Sequence, residues 1–299
     1  MFSSGLKQNR AAFFFALPAL ILLLSVSIYP LLRTLGLAFS SLELTVSPVE
    51  TFIGFDNFTK AFGDARFWNA VRNTLILVTV GVAIQVVLGT ALAVLLSEIR
   101  FTRVVWLIAL LLPVMIAPVV SGFQFRVIYN DTFGPLNYLI RTLFGEGTAA
   151  PAWLADTRTA LLTIMITDIW QWTPFMMLLM LAGLESISVE LTEAAQVDGA
   201  GYWNVFWRIK MPMLLPVIVI GVLIRVMDTF KTFDLVFLLT GGGPGSSTET
   251  IAYYTYLNGF RFFSMGYTAA IAFIQLIIII VIARIFMITQ KRARGSGTQ

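Results

Sequence analysis

Four charged residues recur at every third position inside one apolar segment of the chain. They are Arg225, Asp228, Lys231 and Asp234, and their signs alternate. On an α-helix a step of three residues drifts by about 60°, so neighbouring pairs touch while the row winds around the helix. Charge in an apolar segment is costly and marks either a buried pair or a pathway. The row is therefore either a self-neutralising structural ladder or a set that faces a polar solute and binds its hydroxyls.

A second polar group lies in a preceding apolar segment and includes Asp168, Gln171 and Trp172. Asp168 and Trp172 are four residues apart and share a helix face, which places an acceptor beside an aromatic ring. This pairing suits a sugar, which has a polar edge and an apolar face. A hydrogen bond between two helices is the alternative interpretation. The candidate solute-binding residues are Asp168, Gln171, Trp172, Asp228 and Lys231.

The residue types exclude most catalytic chemistry. With no His and no Cys among 299 residues, the chain cannot build the usual zinc, haem or iron–sulfur sites, a cysteine nucleophile or a Ser–His relay. No Lys follows the cluster Gly241–Gly245, so it is not a phosphate loop of the G-x-x-x-x-G-K-[ST] type. We therefore expect no catalytic residue, no metal site and no cofactor in this chain.

The composition favours a membrane environment. Hydrophobic residues make up 58% of the sequence and the mean hydropathy is +0.86, whereas soluble chains usually hold about 45 to 50% apolar residues. The formal net charge of +4 comes from Lys and Arg scattered singly between apolar runs, with no basic face. We therefore expect no nucleic-acid partner, and the bilayer is the expected solvent.

Six apolar segments are long enough to cross a hydrocarbon core of about 30 Å, which needs roughly 20 helical residues. Helices are expected because lipid offers no partner to free backbone groups and the alternation of barrel strands is absent. The predicted spans are residues 12–39, 71–96, 104–129, 159–184, 213–239 and 267–287. The predicted fold class is an all-α, polytopic membrane protein that forms a single domain over residues 1–299.

The short loops predict the orientation, because Lys and Arg are retained on the cytoplasmic side. With both ends inside, the cytoplasmic side receives Lys7, Arg10, Arg100, Arg103, Arg208, Lys210, Lys291, Arg292 and Arg294. The opposite side has fewer basic residues and more acidic ones. We therefore expect a multi-pass protein with both termini in the cytoplasm.

Residues 185–211, between the predicted fourth and fifth spans, are too polar to cross a membrane. Ser188 is the predicted N-cap of a helix, with Glu190 and Glu193 in the first turns, where carboxylates favour the helix dipole. Gly199 then ends the helix, since glycine takes a left-handed C-cap at little cost. The pattern predicts a surface helix of roughly ten residues, about 15 Å long.

The same segment carries a long sequence signature. It consists of Glu193, Ala194, Ala195, Gln196, Val197, Asp198, Gly199 and Ala200, followed by Phe206, Arg208, Ile209 and Pro212. This run resembles the EAA signature of the permease subunits of binding-protein-dependent ABC importers. Thr173-Pro174-Phe175 before it, and Gly241–Gly245 with Thr248-Glu249-Thr250 after it, are similar to the carbohydrate branch that includes the maltose and glycerol-3-phosphate permeases.

The resemblance implies an ABC importer permease fold in the bacterial inner membrane and transport of a sugar or sugar-like solute. It implies that the short helix is a coupling helix that docks into a cleft of a separate ATPase chain. The coupling positions carried over are Glu193, Ala194, Ala195, Asp198, Gly199 and Ala200. Expected partners are a second permease subunit, two copies of the ATPase, which bind the ATP and Mg, an extracytoplasmic solute-binding protein and membrane lipid. Substrate contacts in the fourth and fifth spans are also implied.

Two other functions remain open at this point. A secondary carrier driven by an ion gradient also needs buried charges and broken helices, but it gives no reason for the patterned residues 185–211. ATP dependence of uptake in vesicles distinguishes it from an ABC importer. A membrane scaffold without transport predicts no ATPase on co-purification and no loss of uptake on deletion.

Overall fold

The computed structural model describes residues 13, 15–99, 101–145 and 150–295, with the side chains described up to residue 288. Lys7, Arg10 and Arg100, which we expect in the cytoplasm, lie outside the described residues, as does position 12 of the first predicted span. The side chains of Lys291, Arg292 and Arg294 lie outside them too.

The described residues fall into two compact units. The first is drawn from Met1–Asp64 and Thr255–Leu276, and the second from Ala65–Tyr254 and Ile277–Gln299. A single permease domain over residues 1–299 stays a prediction. All candidate binding and coupling residues belong to the second unit.

The first unit opens with a long apolar helix and a short sheet. Its elements are α1 (Phe15–Ala38), β1 (Ser40–Glu43), β2 (Ser47–Phe52) and α2 (Asp56–Gly63). The two strands pair antiparallel, with Ser40 opposite Phe52. Buried Asn57 donates from Nδ2 to the carbonyls of Ala38 and Ser40, at 3.0 and 2.9 Å, which satisfies backbone acceptors where α1 ends. The hairpin is an addition to the all-α prediction.

The second unit is helical throughout its regular elements. In chain order they are α3 (Ala65–Glu98), α4 (Arg103–Met115), α5 (Pro118–Ile128), α6 (Pro135–Phe144), α7 (Ala160–Glu185), α8 (Val189–Val197), α9 (Tyr202–Thr229), α10 (Asp234–Leu239) and α11 (Ile251–Tyr256). Helix α11 and the last helix, α12 (Met265–Gly295), contribute residues to both units. Among the described residues, α1, α3, α7, α9 and α12 are long and apolar enough to cross a membrane, and α4 with α5 would make a sixth span. The all-α, polytopic prediction is confirmed.

The predicted third span is broken. Helices α4 and α5 meet at a bend of 93°. Pro118 occupies the first turn of α5, and Ala117 before it is extended, with ψ 139°, because a proline disfavours the helical conformation of its predecessor. Ile116 is extended as well. The break therefore leaves backbone carbonyls free for partners from other helices.

The closest helix packing in the second unit joins α3 and α7. At Gly89, a Cβ atom would lie 2.6 Å from the Cβ of Met176 and 2.9 Å from the backbone nitrogen of Met177, so only glycine permits this approach. Ala93 and Leu96 of α3 belong to the same buried apolar cluster as Met180 of α7. This contact holds α7 firmly, and α7 carries three of the candidate binding residues.

The predicted fifth span differs from the structure at both ends. Helix α9 begins at Tyr202, well before residue 213, and ends at Thr229 rather than continuing to residue 239. The prediction that Arg225, Asp228, Lys231 and Asp234 lie on a single helix is therefore wrong. Lys231 lies in a turn, and Asp234 begins α10.

Tertiary contacts end α9 there. Phe233 stacks on Phe237 and on Tyr253, with ring centroids 5.3 and 6.0 Å apart. The hydroxyl of Thr250 donates to the carbonyl of Thr232 at 2.8 Å. Ring stacking and a side-chain donor on a free carbonyl together stabilise the turn over the straight helix that the apolar pattern predicted.

Candidate functional site

A cavity of about 210 Å³ lies in the second unit, between α7, the end of α9 and the turn after it. Its walls include all five predicted binding residues, Asp168, Gln171, Trp172, Asp228 and Lys231. The cavity contacts α7 close to the middle of this 26-residue helix, which places the cavity far from either end of the span. The structure thus brings together residues that are some sixty positions apart in the sequence.

The base of the cavity is a buried ion pair. Asp168 is 5% exposed and Arg225 is 1% exposed. Nη2 of Arg225 donates to both carboxylate oxygens of Asp168, at 2.9 and 3.2 Å, and its Nε donates to Oε1 of Gln85 at 2.9 Å. Gln85 in turn donates from Nε2 to Asp168 at 2.8 Å. The network ties α3, α7 and α9 together and neutralises both charges.

The guanidinium of Arg225 makes two further contacts. It lies over the ring of Trp172, 4.6 Å from the centroid, a distance typical of a cation–π contact. Its Nη1 is 3.9 Å from Oδ2 of Asp228, whose side chain is 46% exposed. Arg225 thus links the buried base of the cavity to its open side, although we predicted it only as a member of the ladder.

Gln171 has a free acceptor in the cavity wall. Its Nε2 donates to the carbonyl of Ile116 at 2.9 Å, at the break between α4 and α5. Its Oε1 is buried and has no hydrogen-bond partner among the described residues. A buried acceptor without a donor costs free energy, and Gln171 is one of the residues that line the cavity.

The open side of the cavity is formed by charged groups. Asp228 and Lys231 are exposed, and Asp234 is half-buried. These three side chains come from the last turn of α9, the turn after it and the start of α10. They are therefore available to contact a solute, whereas the carboxylate of Asp168 is already occupied by Arg225 and Gln85.

The predicted coupling helix is present as α8, nine residues long. It ends in a Schellman motif: Gly199 N–H donates to the Gln196 carbonyl at 3.0 Å, and Ala200 N–H to the Ala195 carbonyl at 2.9 Å. Gly199 has φ +82°, as its C-cap role requires. The predicted end of this helix is confirmed.

The coupling positions lie on the surface of this chain. Glu193, Ala194, Asp198 and Gly199 are exposed, and Ala195 and Ala200 are half-buried. None of the residues of α8 is buried, so the helix offers its small side chains to whatever approaches from outside.

Ser188 precedes α8 as predicted, but its side chain does not cap the helix. Its hydroxyl instead donates to the carboxylate of Glu190 at 2.6 Å. This hydrogen bond lowers the pKa of the Glu190 carboxyl below its ordinary value. Ser188 is therefore the N-cap residue, as predicted, but it makes no side-chain hydrogen bond to the helix backbone.

The segment that contains α8 is attached at both ends. Glu185, the last residue of α7, pairs with Arg103 at the start of α4. Tyr202, the first residue of α9, donates its hydroxyl to Glu98 at the end of α3 at 2.6 Å. Only short connections separate α8 from α7 and from α9, the two helices that carry the base of the cavity.

The predicted binding residues did not include Arg225 or Gln85, although both belong to this site. Arg225 was visible as a charge in an apolar segment and Gln85 as a polar residue in another, but nothing local shows that both meet Asp168. Pairing across 140 positions is set by helix packing and has no local sequence signal.

The chain matches a known family over most of its length. The model of the family described as "binding-protein-dependent transport system inner membrane component" matches residues 100–295, well over half of the chain.

Curated relatives match at high coverage. A probable ABC transporter permease protein, y4oQ, of Sinorhizobium fredii is 37% identical over 90% of this chain and 86% of its own length. The sulfoquinovosyl glycerol transport system permease protein SmoG of Agrobacterium fabrum is 35% identical over 90% and 87%. The trehalose/maltose transport system permease protein MalF of Thermococcus litoralis is 31% identical over 87% and 85%.

Solved structures share the fold. A chain of a bacterial ABC transporter involved in the import of the acidic polysaccharide alginate superposes with a TM-score of 0.84 at 23% identity, over 97% of this chain and 98% of that one. The MetNI methionine ABC transporter gives a TM-score of 0.51 at 15% identity, over 77% and 95%. The chain therefore belongs to the family of inner membrane components of binding-protein-dependent transport systems, as a multi-pass permease subunit of an ABC transporter and not its ATP-hydrolysing chain.

Proposed function

We propose that this permease carries a sugar or sugar-like solute into the cell through the cavity lined by Gln171, Trp172, Asp228 and Lys231. The observation that carries the proposal is that Gln171, whose buried Oε1 has no hydrogen-bond partner in the part of the chain that the structure describes, lines this cavity. The ring of Trp172 and the charged side chains of Asp228 and Lys231 line the same cavity. Hydroxyl groups along one edge and an apolar ring face are the features of a sugar that such a wall binds.

The sequence suggested that Asp168 binds the solute directly. In this proposal it instead supports the base of the cavity. Its carboxylate holds Arg225 and Gln85, so it stabilises the base of the cavity and fixes Trp172 through the cation–π contact of Arg225. The solute then contacts Gln171, Trp172, Asp228 and Lys231, and Asp168 acts through Arg225. The relatives named for trehalose, maltose and sulfoquinovosyl glycerol support a sugar-like cargo.

The proposed assembly contains a second permease subunit, two copies of an ABC ATPase that bind the ATP and Mg, and an extracytoplasmic solute-binding protein. This chain itself binds no cofactor. Both termini and α8 lie on the cytoplasmic side, in contact with the ATPase, and lipid surrounds the spans. Exposed Ala194 and half-buried Ala195 of α8 support this docking, because small side chains let a partner's groove approach closely.

Movement of α8 acts directly on the cavity. Helix α7 ends at Glu185 and α9 begins at Tyr202, on either side of α8. Closure of the ATPase dimer would pull α8 and turn both helices, which changes the position of Trp172 relative to Lys231. Alternating access to the cavity then follows from ATP hydrolysis by the partner chain.

Uptake in proteoliposomes that contain the complete transporter, with its solute-binding protein outside, tests the proposal. We expect uptake of the labelled sugar to require ATP inside the vesicles and to be indifferent to proton and sodium gradients. Lys231→Gln should lower uptake and solute-stimulated ATPase activity. The matched control is Arg158→Gln, which removes an exposed cation outside the cavity.

Two results would overturn the proposal. Uptake driven by an ion gradient without ATP would show a secondary carrier. Unchanged uptake in both Lys231→Gln and Gln171→Met would show that the solute passes elsewhere.

A further inference from the structure

The glycine-rich loop, residues 240–250, is held to α3 by an ion pair between a partly exposed arginine and a buried glutamate. Nε and Nη2 of Arg66 donate to the two carboxylate oxygens of Glu249, at 2.8 and 2.5 Å. Glu249 is 1% exposed, whereas the side chain of Arg66 is 40% exposed. This two-point contact is among the strongest that side chains make, and it fixes orientation as well as distance.

Neutral side chains of α3 add to this attachment. Asn69 donates from Nδ2 to the Ser246 carbonyl at 2.6 Å, and Asn73 donates from Nδ2 to the carbonyls of Ser247 and Glu249 at 2.9 and 3.0 Å. Asn73 is buried, so these carbonyls have few other possible donors. The glycine-rich loop is thus bound to one face of α3 by several independent hydrogen bonds.

The far end of the same loop reaches the cavity. Thr250, which is fully buried, donates its hydroxyl to the carbonyl of Thr232 at 2.8 Å. Thr232 and its neighbour Phe233 line the cavity, and Phe233 stacks on Tyr253. The glycine-rich loop therefore contacts and supports the turn that carries Lys231.

We propose that Arg66 and Glu249 are positioning residues for the solute site, acting through Thr250 on the turn that carries Lys231. The inference rests on the proposed function of the cavity and extends it to residues that never touch the solute. The ion pair sets where the loop lies on α3, and the hydrogen bond from Thr250 to Thr232 transfers that position to the cavity wall. Selection among solutes then depends on a contact outside the cavity.

The absence of native cysteine in this chain allows a direct test. The variant Lys231→Cys, in the complete transporter in detergent, is labelled with 2-(trimethylammonium)ethyl methanethiosulfonate, and the labelling rate of this chain is measured. We expect Glu249→Gln to change that rate by about fivefold, because one net hydrogen bond shifts a positional equilibrium by about that factor. Labelling of Thr132→Cys, at an exposed position in another loop, should not change.

A second pair of variants separates positioning from folding. Thr250→Val keeps the ion pair and removes the hydroxyl, which donates to the Thr232 carbonyl and accepts from the backbone N–H of Tyr253 at 3.3 Å. It should change the labelling rate in the same direction as Glu249→Gln. Thr250→Ser retains a hydroxyl and should restore the original rate. The double exchange Arg66→Glu with Glu249→Arg rebuilds the ion pair in reverse. It should therefore restore most of the labelling rate that Glu249→Gln changes.

Unchanged labelling of Lys231→Cys in Thr250→Val would overturn the inference, even if Glu249→Gln proved unstable. That result would leave the proposed function standing. The proposed function fails by a different observation, namely wild-type uptake by Lys231→Gln and Gln171→Met. The two failures are therefore distinguishable.

Discussion

The base of the cavity and the coupling helix contrast in how their residues are used. Asp168 and Arg225 are almost completely buried, and both hydrogen-bond to each other and to Gln85. Helix α8 has no buried residue, and Glu193 at its centre is exposed. The charged groups of one region are partnered within this chain, and the other region leaves its residues exposed to solvent or a partner.

This difference predicts two kinds of variant. A change at the base of the cavity leaves a buried charge without its partner, so it lowers the free energy of unfolding together with transport. A change at an exposed position of α8 such as Glu193 removes no buried contact within the chain, so it should lower transport alone. Measuring both quantities for each variant tests whether the two regions differ as the structure indicates.

The largest effect is expected for Arg225→Met. Asp168 would remain in the membrane span with only Gln85 as a donor, and removal of one partner of a buried pair costs about 3–5 kcal/mol. We expect loss of the folded transporter in detergent, measured as the melting temperature of the purified complex.

Two further variants check the cause. Arg225→Met combined with Asp168→Asn removes both charges and should be more stable than Arg225→Met alone. Arg72→Met, which removes an exposed arginine of α3, should leave the melting temperature nearly unchanged. Equal destabilisation by Arg225→Met and Arg72→Met would contradict the role of burial.

The second effect is expected for Glu193→Lys, on the coupling helix. Charge reversal at a docking surface costs on the order of 2 kcal/mol or more of binding, which is over tenfold in affinity. Membrane insertion and melting temperature should remain those of the wild type, while uptake and ATPase coupling are lost. Co-purification of the ATPase with this chain measures the docking directly.

The control for this variant is Glu190→Lys, on the same helix but before the signature run. It makes the same charge change at another exposed position, so it should reduce uptake less. Wild-type uptake by Glu193→Lys would show that the exposed face of α8 is not the docking surface.

The third effect is expected for Gln171→Met, which combines both kinds of loss. The carbonyl of Ile116 loses its donor, at a cost of about 1–3 kcal/mol. The solute loses its acceptor, so uptake should fall by about tenfold, beyond what the stability change explains. Uptake normalised to the amount of folded protein separates the loss of stability from the loss of solute binding.

Thr90→Val is the matched control for Gln171→Met. Thr90 also has a buried oxygen without a hydrogen-bond partner among the described residues, but it lies on α3 outside the walls of the solute cavity. Its replacement should leave uptake unchanged. A similar loss of uptake in both variants would show that buried polar atoms in general, rather than the cavity, decide transport.

The two regions also differ in how well the sequence predicted them. The end of α8 follows from local signals, because a glycine at the C-cap needs no information from the rest of the chain. Its Schellman hydrogen bonds are those the pattern indicates. The apolar segments likewise predicted the long helices, since length and hydropathy are local properties.

The cavity could be predicted only in part. The polar residues in apolar segments identified Asp168, Gln171, Trp172, Asp228 and Lys231, and all of them line the cavity. The end of α9 at Thr229 could not be predicted, because it depends on Tyr253 and Thr250, some twenty residues later in the chain. The apolar pattern continues through that turn and so indicated a single straight helix.

The smallest effect is expected for Ser188→Ala, at the N-cap of α8, where the predicted residue is in place without a side-chain hydrogen bond to the helix. A hydrogen-bonded N-cap is worth about 1 kcal/mol, but the Ser188 hydroxyl donates to Glu190 and not to the helix, so the melting temperature should not change measurably. The pKa of the Glu190 carboxyl should rise back towards its ordinary value, which carboxyl NMR shifts would report. Because the pKa of Glu190 is lower in the folded protein, this contact stabilises above the ordinary pKa and is lost as pH falls, so any difference from wild type should vanish in acid. A large loss of stability at neutral pH would mean that Ser188 caps α8 after all.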